Sequence, residues 1–249
     1  MGTLAGRVVL VAGASRGVGA AVAHHLAGGG ARVVLAARDA AALAATAAAC
    51  NALRVPAAAA PDGEASALAV TADLTQEADV TRLIATAVDT FGGLDAVVLN
   101  AAVGLVGPIE GFSLEDWRRT LDTNVTAAFL VARAVIPHLR ARHGAIIAIG
   151  SEFSRAGFPG LGAYAASKWA LLGLMHSLSL ELRPDGIRVS SILPGGVLTD
   201  FGPDTRAQKL ERQAGGEKFL HPEDVAGAVA FLLTQPPGVW TPELSLVPR

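Results

Sequence analysis

The fold is decided by residues 7–39, RVVLVAGASRGVGAAVAHHLAGGGARVVLAARD. The stretch opens with an apolar run at 8–12, whose length and β-branched content predict a strand buried on both faces. A glycine-rich turn follows at 13–19, and the next residues predict a helix that ends at the glycines 28–30. A second apolar run at 31–39 predicts the next strand. Strand, glycine turn, helix and strand together predict a parallel sheet with crossover helices.

The glycines of this turn are spaced for binding a phosphate group. Glycine lets the backbone approach a pyrophosphate closely, and the first turn of the helix offers free N–H groups to its oxygens. A plain turn is the alternative explanation for any single glycine motif. The position between a strand and a helix favours the phosphate interpretation. The predicted contact residues of the turn are Gly13, Ser15, Arg16, Gly17, Val18 and Gly19.

Apolar runs and helical segments alternate along the rest of the chain. Further strands are predicted at 68–75, 94–104, 145–149 and 186–196, and helices at 40–49, 77–91, 116–142, 163–182 and 222–235. The alternation predicts an α/β fold with a single doubly wound, Rossmann-type parallel sheet of about seven strands and helices on both faces. Residues 50–66 contain two prolines and the turn signal PDG, which predict a long surface loop. We therefore expect residues 1–249 to form one domain.

Composition argues against several classes of function. The net charge is −2 and no basic cluster appears, which argues against a nucleic-acid partner. No apolar run of about 18 residues exists, so we predict no transmembrane helix and no membrane partner. The single cysteine, Cys50, excludes an internal disulfide and is expected to be an inert apolar side chain in a cytoplasmic protein. His24 and His25 are adjacent on a predicted helix and point apart, so no metal site is predicted.

A second stretch, AIIAIGSEFSRAGFPGLGAYAASKWA at 145–170, brings three polar side chains together. Ser151 follows a predicted strand, whereas Tyr164 and Lys168 share one face of the next helix because they are four residues apart. A free tyrosine has a pKa of about 10, so lowering it to roughly 7 requires about 4 kcal/mol of phenolate stabilisation. A nearby ammonium and the helix dipole could supply that energy. An amphipathic tyrosine beside a solvated lysine is the alternative.

This pattern resembles the short-chain dehydrogenase/reductase family, on motifs that span about residues 4–235. A serine lies 13 residues before the tyrosine of YAASK, the family's commonest form of YxxxK, and Asn124 lies 27 residues before that serine. GASRGVG at 13–19 resembles the family's GxxxGxG, and PGGVLT at 194–199 resembles its PGxxxT. The chain departs from the family at Ala12, at Leu99 and Ala102 of the NNAG motif, and in the tail WTPELSLVPR.

The resemblance implies an oxidoreductase that transfers a hydride between a nicotinamide cofactor and a carbonyl or alcohol substrate. In the implied tetrad, Tyr164 exchanges the substrate's proton and Ser151 orients the carbonyl. Lys168 binds the nicotinamide ribose and stabilises the phenolate, while Asn124 supports a water against that lysine. The cofactor would also contact Asp73, Leu74, Asn100, Ala101, Pro194, Gly195, Val197 and Thr199. A catalytically silent nucleotide-binding regulator is one alternative, and an isomerase or dehydratase acting on a nucleotide sugar is another.

By the family's pattern, the end of the second strand decides between the two nicotinamide cofactors. NAD-binding Rossmann proteins place a carboxylate there for the ribose 2′-OH, whereas this chain has Ala37. Arg38 and Arg16 can bind a 2′-phosphate through charge-assisted hydrogen bonds. Asp39 is expected to cap the helix that follows. These residues predict NADP(H) in preference to NAD(H).

The substrate pocket is expected to be mostly apolar and to take a small carbonyl or alcohol compound. Its candidate residues are Val103, Glu152, Phe153, Phe158, Leu161 and Phe201. Glu152 is unusual for the family at this position, and it either binds a polar group of the substrate or faces water. The polar segment 201–219 predicts a mobile substrate lid, with a solvated connector as the alternative.

The apolar content of two long helices predicts self-association. The segments 116–142 and 163–182 carry more apolar residues than one face of a sheet covers. On the second segment, Ala165, Trp169, Leu172 and His176 recur at helical spacing. The resemblance implies that these helices pair across a two-fold axis, so we predict a homodimer or homotetramer. A monomer in which both helices are well buried is the alternative.

Overall fold

One parallel sheet organises the residues that the structure, a computed structural model, describes, which are 2–53 and 66–249. The strands lie in the order β3-β2-β1-β4-β5-β6-β7, and every neighbouring pair is parallel. Their bounds are β1 Val8–Ala12, β2 Arg32–Ala37, β3 Ala67–Thr71, β4 Ala96–Leu99, β5 Ala145–Ile149, β6 Arg188–Pro194 and β7 Glu243–Leu246. The predicted fold class is therefore confirmed. Most of the loop predicted at 50–66 lies outside the described residues.

Helices connect the strands and cover both faces of the sheet. Their bounds are α1 Gly17–Gly28, α2 Ala40–Asn51, α3 Glu77–Phe91, α4 Leu114–Leu121, α5 Ala127–Arg140, α6 Gly162–Glu181, α7 Arg206–Ala214 and α8 Pro222–Leu233. The single helix predicted at 116–142 is observed as α4 and α5, joined by one π-helical segment at Asp122–Thr126. Such π turns occur mostly inside α-helices and often at functional sites.

Successive strand residues point into two separate buried clusters, one on each face of the sheet. Val8 and Leu10 pack with α3, α5 and α6. Val9 and Val11 pack with α1, α2 and α8 on the other face. Because both faces are covered, the central strands β1, β4 and β5 appear in the sequence as continuous apolar runs without polar alternation.

The sheet has its topological switch point at β1. This strand pairs with β2 on one side and with β4 on the other, so that Val9 lies between Val33 and Ala96. The carboxylate of Asp95 accepts a hydrogen bond from the N–H of Val8 at 2.7 Å, which holds the start of β1 against the start of β4. Loops leaving the carboxyl ends of the strands diverge at such a point and open a crevice for ligands.

The seventh strand comes from the tail, for which no individual strand was predicted. β7 pairs with the end of β6, where Ser191 lies opposite Glu243. The indole N–H of Trp240 donates to the carbonyl of Val189 at 2.9 Å and anchors the approach to this edge. The four residues ELSL alternate in polarity and are only partly buried. An edge strand this short has no apolar run that would identify it.

The structure also bears on the cysteine, on membrane-spanning helices and on metal-binding groups. Cys50 is buried in α2, and burial raises the pKa of its thiol to about 11, which favours the expected inert side chain. Among the described residues, no helix is long and apolar enough to cross a membrane. In the same part of the chain, no three His, Cys, Asp or Glu side chains are grouped to hold a metal ion.

Candidate active site

A cleft of about 1380 Å³ opens at the carboxyl ends of the central strands. The loops that follow β1 to β6 all contribute to its walls. Most of the predicted cofactor and substrate residues line it, together with Tyr164 and Lys168 at the start of α6. The chain therefore brings residues separated by more than 180 positions into one site.

The glycine turn forms one end of this cleft. Gly13 has a φ of 78°, and a Cβ added to it would stand 2.7 Å from the Cα of Ala101. A Cβ added to Gly19 would stand 2.1 Å from the carbonyl oxygen of Gly13. The side-chain amide of Asn100 donates to that same oxygen at 2.9 Å and ties the turn to the end of β4. Larger side chains cannot occupy these two glycine positions without moving the backbone.

The N-terminus of α1 faces the cleft without a capping side chain. Arg16 occupies the cap position with an extended backbone, and its side chain makes no capping hydrogen bond. The first N–H groups of a helix have no intrahelical partner. Free N–H groups beside glycines are the donor set that binds a diphosphate. A dinucleotide therefore fits the residues that are present at this end.

The end of β2 lies along the same part of the cleft. Ala37 is buried, whereas Arg38 and Asp39 are exposed. The carboxylate of Asp39 accepts a hydrogen bond from the N–H of Ala42 at 3.0 Å, so its predicted capping of α2 is confirmed. Both Arg38 and Arg16 line the cleft. Asp39 is the carboxylate that directly follows Arg38.

Asp73 and Leu74 follow β3 and also line the cleft. The carboxylate of Asp73 accepts from the N–H and the hydroxyl of Thr75, at 3.0 and 2.8 Å. Asp73 therefore stabilises its own loop through one carboxylate oxygen, and the second oxygen can contact a cofactor. On the opposite side, Pro194, Gly195, Val197 and Thr199 line the cleft after β6.

Ser151 and Tyr164 stand next to each other at the centre of the cleft. The hydroxyl of Ser151 accepts from the N–H of Phe153 at 3.2 Å, and its own N–H donates to the hydroxyl of Ser154 at 3.2 Å. These two bonds hold the serine at the end of β5. Tyr164 is the third residue of α6, is only 8% exposed, and shares a hydrogen bond with Ser151.

The predicted direction of the pKa shift at Tyr164 is wrong for the polypeptide itself. Burial raises the pKa of Tyr164 to about 12; the hydrogen bond from Ser151 opposes that shift, and the charge of Glu152 adds to it. The ammonium of Lys168 lies 5.7 Å from the centre of the tyrosine ring. Burial also lowers the pKa of this lysine to about 8. The desolvation of both groups outweighs the attraction that was expected between ammonium and phenolate.

Lys168 is held in place by the strand that carries the serine. Its Nζ donates to the carbonyl of Ile149 at 2.8 Å, and the side chain is only 2% exposed. The lysine therefore reaches across from α6 to the end of β5 and lines the cleft there. One helix turn separates it from Tyr164, as the sequence spacing predicts.

Asn124 lies in the π-helical segment and is buried. Its amide oxygen accepts from the N–H of Val103 at 2.7 Å, and its amide nitrogen donates to the carbonyl of Val103 and to the hydroxyl of Ser167, each at 2.9 Å. Ser167 in turn donates to the carbonyl of Tyr164 at 2.6 Å. The side chain thus links the loop after β4 to the first turns of α6. The water-holding role implied by the resemblance stays a prediction.

Aromatic rings form the substrate end of the cleft. The ring centre of Tyr164 lies 6.3 Å from that of Phe153 and 5.7 Å from that of Phe201. Val103, Leu161 and Glu152 line the same region, as predicted. Phe158 does not line the cleft, contrary to the prediction. It is 60% exposed, and its ring centre lies 5.9 Å from that of Phe153.

The segment 201–219 contains an ordered helix, α7, that is attached to the cleft wall. Lys209 is buried, and its Nζ donates to the carbonyls of Thr199 at 2.8 Å and Phe201 at 2.6 Å. Thr205 and Gln208 form a capping box at the start of this helix. That pattern in the sequence, T-x-x-Q, could have identified the helix. The buried role of Lys209 has no such signal, since lysines on polar helices are usually solvated.

Comparison with known proteins shows that the chain matches a protein family. The model of the short chain dehydrogenase family matches residues 7–210. A 3-alpha-(or 20-beta)-hydroxysteroid dehydrogenase of Mycobacterium tuberculosis is 38% identical over 236 residues, which cover 93% of this chain and 84% of that enzyme. A glycine betaine reductase of Emericella nidulans is 34% identical over 252 aligned positions, covering the whole chain. The chain spans only 19% of the length of that second relative.

Solved structures agree with the sequence relatives. A 3-ketoacyl-(acyl-carrier-protein) reductase of Brucella melitensis, complexed with NADH, superposes with a TM-score of 0.86 at 30% identity, covering 98% of each chain. A metagenomic short-chain oxidoreductase in complex with NADP superposes with a TM-score of 0.80 at 32% identity, again covering 98% of each chain. The likeness extends over the sheet, the helices and the loops that build the cleft.

Proposed function

Because the chain belongs to the short-chain dehydrogenase family, we propose that it is an NADP(H)-dependent oxidoreductase that interconverts a carbonyl compound and its alcohol. The observation that carries this proposal is that a glycine cradle for a diphosphate and the group Ser151, Tyr164 and Lys168 share one cleft. Nucleotide binding alone would not need a buried tyrosine and lysine beside the substrate end.

The cofactor's contacts are proposed from the donors that the cleft offers. Gly13, Gly17 and the first N–H groups of α1 would hold the diphosphate. Lys168 would bind the nicotinamide ribose, and the loop after β6 would hold the carboxamide through Thr199. When bound, the nicotinamide supplies or accepts the hydride. The polypeptide supplies orientation, the proton and the electrostatic environment.

Tyr164 is the proposed proton donor in the reductive direction. Because burial raises its pKa to about 12, the phenol is protonated near neutral pH, which is the state that can donate. Ser151 donates a second hydrogen bond to the substrate oxygen as negative charge develops on it. The buried charge of Lys168 favours the phenolate that is left after the transfer. In this arrangement the protonated phenol is placed to donate to a carbonyl oxygen.

Activity separates this proposal from a catalytically silent regulator. We expect the purified protein to oxidise NADPH in the presence of some members of a panel of ketones and aldehydes, measured as loss of absorbance of the reduced cofactor. Tight NADPH binding without turnover of any compound in a broad panel would favour the regulator. The names of the relatives point to a hydroxysteroid, a 3-ketoacyl carrier protein and glycine betaine. They differ too much to decide the substrate of this chain.

We also propose NADP(H) as the preferred cofactor. Arg16 and Arg38 line the nucleotide end of the cleft, and the carboxylate of Asp39, which follows Arg38, is engaged as a helix cap. A 2′-phosphate would gain charge-assisted hydrogen bonds there. One solved relative carries NADH and another carries NADP, so the choice rests on these residues.

We also propose self-association through α5 and α6, with contact residues that differ from those predicted from the sequence. Ala165 and Leu172 are buried inside the monomer, so they are not available to a partner. Trp169 is 54% exposed and Leu180 71% exposed on α6, and Phe129 is exposed on α5. We propose that these side chains meet a second copy in a homodimer or homotetramer. Light scattering that gives a monomer mass at micromolar concentration would contradict this.

A further inference from the structure

The substrate end of the cleft contains a carboxylate without a partner. Glu152 lines the cleft directly after Ser151. Within residues 2–53 and 66–249, its side chain takes part in no salt bridge and no hydrogen bond, although its charge acts on Tyr164. Its Oε2 lies 3.7 Å from the place where a Cβ on Gly195 would stand, which puts it beside the loop after β6.

The nearest cation along the chain does not neutralise Glu152. Arg155 turns away and binds the carboxylate of Glu243 on β7 at 2.5 Å. Lys209 is committed to the carbonyls of the loop after β6. The basic residues Arg16 and Arg38 belong to the opposite end of the cleft. Arg206 also lines the cleft but forms no salt bridge with Glu152. No contacting cation therefore neutralises Glu152 in the part of the chain that the structure describes.

Aromatic rings lie beside Tyr164, the residue on which the charge of Glu152 acts. The ring centres of Phe153 and Phe201 lie 6.3 Å and 5.7 Å from that of Tyr164. The face of an aromatic ring attracts a cation, and recognition of ammonium groups commonly combines such rings with a nearby carboxylate. The combination suits a positively charged, partly apolar group better than a neutral hydrocarbon or an anion.

We propose that this end of the cleft selects carbonyl substrates that carry a cationic nitrogen, either a protonated amine or a quaternary ammonium, close to the carbonyl group. The inference rests on the proposed reductase function and names its substrate class. Glu152 is the specificity-determining charge, and Phe153 and Phe201 are the rings that contact the cation. The same carboxylate repels substrates that end in a carboxylate or phosphate.

A bound cation would also change the environment of Tyr164. The charge of Glu152 disfavours the phenolate, and a substrate cation next to it would offset that effect. Recognition of the cation and ease of proton transfer would then be linked. Because Glu152 is exposed to water, the selectivity it confers is modest, on the order of five- to tenfold.

Three matched aldehydes test the inference at saturating NADPH. One ends in a trimethylammonium group, the second in a tert-butyl group of the same shape without charge, and the third in a carboxylate. We expect wild-type kcat/KM to fall in that order, with the cationic compound about tenfold better than the neutral one. Glu152→Gln should bring the cationic and neutral values close together. Glu181→Gln removes the same charge at the far end of α6 and should leave the ratio unchanged.

The rings are tested with Phe201→Leu, which keeps an apolar side chain and should reduce the cationic preference by a few-fold without affecting the charge. A wild-type enzyme that reduces the neutral compound as well as the cationic one would overturn the inference. So would an unchanged ratio in Glu152→Gln. If that variant does not fold, the wild-type ratio at low and high salt decides, because an electrostatic preference must weaken with screening.

The two proposals fail separately. If neutral aldehydes are reduced but the cation brings no advantage, only the substrate class is wrong. If no carbonyl compound in a broad panel consumes NADPH, the reductase function itself is wrong.

Discussion

The two ends of the cleft are built in different ways. At the nucleotide end the backbone makes the site, through the turn at Gly13 and Gly17 and the uncapped start of α1. At the substrate end the side chains make it, with rings that come from three separate segments of the chain. A site made by the backbone requires glycine at particular positions and so leaves a pattern in the sequence. A site made by side chains that meet only after folding leaves almost none.

The largest expected effect is a loss of activity from a substitution at the substrate end alone. Tyr164→Phe removes the transferable proton but keeps the ring that packs against Phe153 and Phe201. General acid–base groups contribute about 10²–10⁴-fold, and we expect at least that loss in kcat. The dissociation constant for NADPH, measured by fluorescence, should stay close to that of wild type. Turnover within a few-fold of wild type would show that another group supplies the proton.

The converse substitution weakens cofactor binding at the nucleotide end. Gly19→Ala adds a Cβ that would stand 2.1 Å from the carbonyl of Gly13, so the turn must shift away from the diphosphate position. We expect the NADPH dissociation constant to rise at least tenfold, on the order of the 1–3 kcal/mol that overpacking costs. At saturating NADPH, kcat should fall much less than in Tyr164→Phe.

Gly227→Ala is the matched control for that substitution. Gly227 lies inside α8, and a Cβ there would meet no atom within 4 Å. Alanine favours a helix by about 1 kcal/mol over glycine, so this variant should bind NADPH normally and unfold at the same or a slightly higher temperature. Equal effects of the two alanines on NADPH binding would mean that the turn at Gly13 is not a phosphate cradle.

Sequence predicted the nucleotide end well because its requirements are local. The glycine turn follows β1 directly, Ala37 and Arg38 stand at the end of β2, where the family's pattern places them, and Asp39 caps α2 as its position indicates. The placement of Tyr164 and Lys168 on one helix was also predictable, since they are one turn apart. Each of these inferences depends on neighbours within a few residues.

The substrate end was predicted less well because its properties depend on long-range packing. The shift at Tyr164 has the opposite sign to the prediction, since burial depends on segments that sequence spacing does not show. Phe158 lies outside the cleft although it belongs to the same loop as Phe153. Lys209 is buried on a helix that is otherwise polar. The edge strand β7 is half-buried and forms only against β6.

An effect of intermediate size concerns the preference for NADPH over NADH at the nucleotide end. Ala37→Asp with Arg38→Leu places a carboxylate where a 2′-phosphate would bind and removes one of its cations. Charge-assisted hydrogen bonds contribute about 1.5–3 kcal/mol, so we expect the ratio of NADH to NADPH dissociation constants to change by about tenfold or more, toward NADH. Fluorescence titration of both reduced cofactors measures it.

Arg183→Leu is the control for the charge removed at Arg38. Arg183 is exposed at the end of α6, away from the cleft, so its loss should leave both dissociation constants unchanged. Wild-type protein that binds NADH as tightly as NADPH would refute the proposed cofactor preference, whatever the double variant does.

The smallest expected effect concerns the residue that joins the two ends. Lys209 donates to the carbonyl of Thr199, at the nucleotide end, and to that of Phe201, at the substrate end. Lys209→Met keeps the length of the side chain but leaves both carbonyls without that donor. A lost buried partner costs about 1–3 kcal/mol, part of which should appear as reduced stability. The rest should appear as a displaced loop.

We expect Lys209→Met to raise both the NADPH dissociation constant and the KM for the carbonyl compound by a few-fold, with a smaller change in kcat. Lys209→Arg retains donors to both carbonyls and should recover part of each loss, which a purely structural defect would not predict. Lys218→Met is the control, because Lys218 is exposed in the same segment. If only the KM rises, the lysine holds the wall at Phe201 and does not couple it to Thr199. If neither constant changes, the loop after β6 is positioned without α7, and the two ends of the cleft are independent.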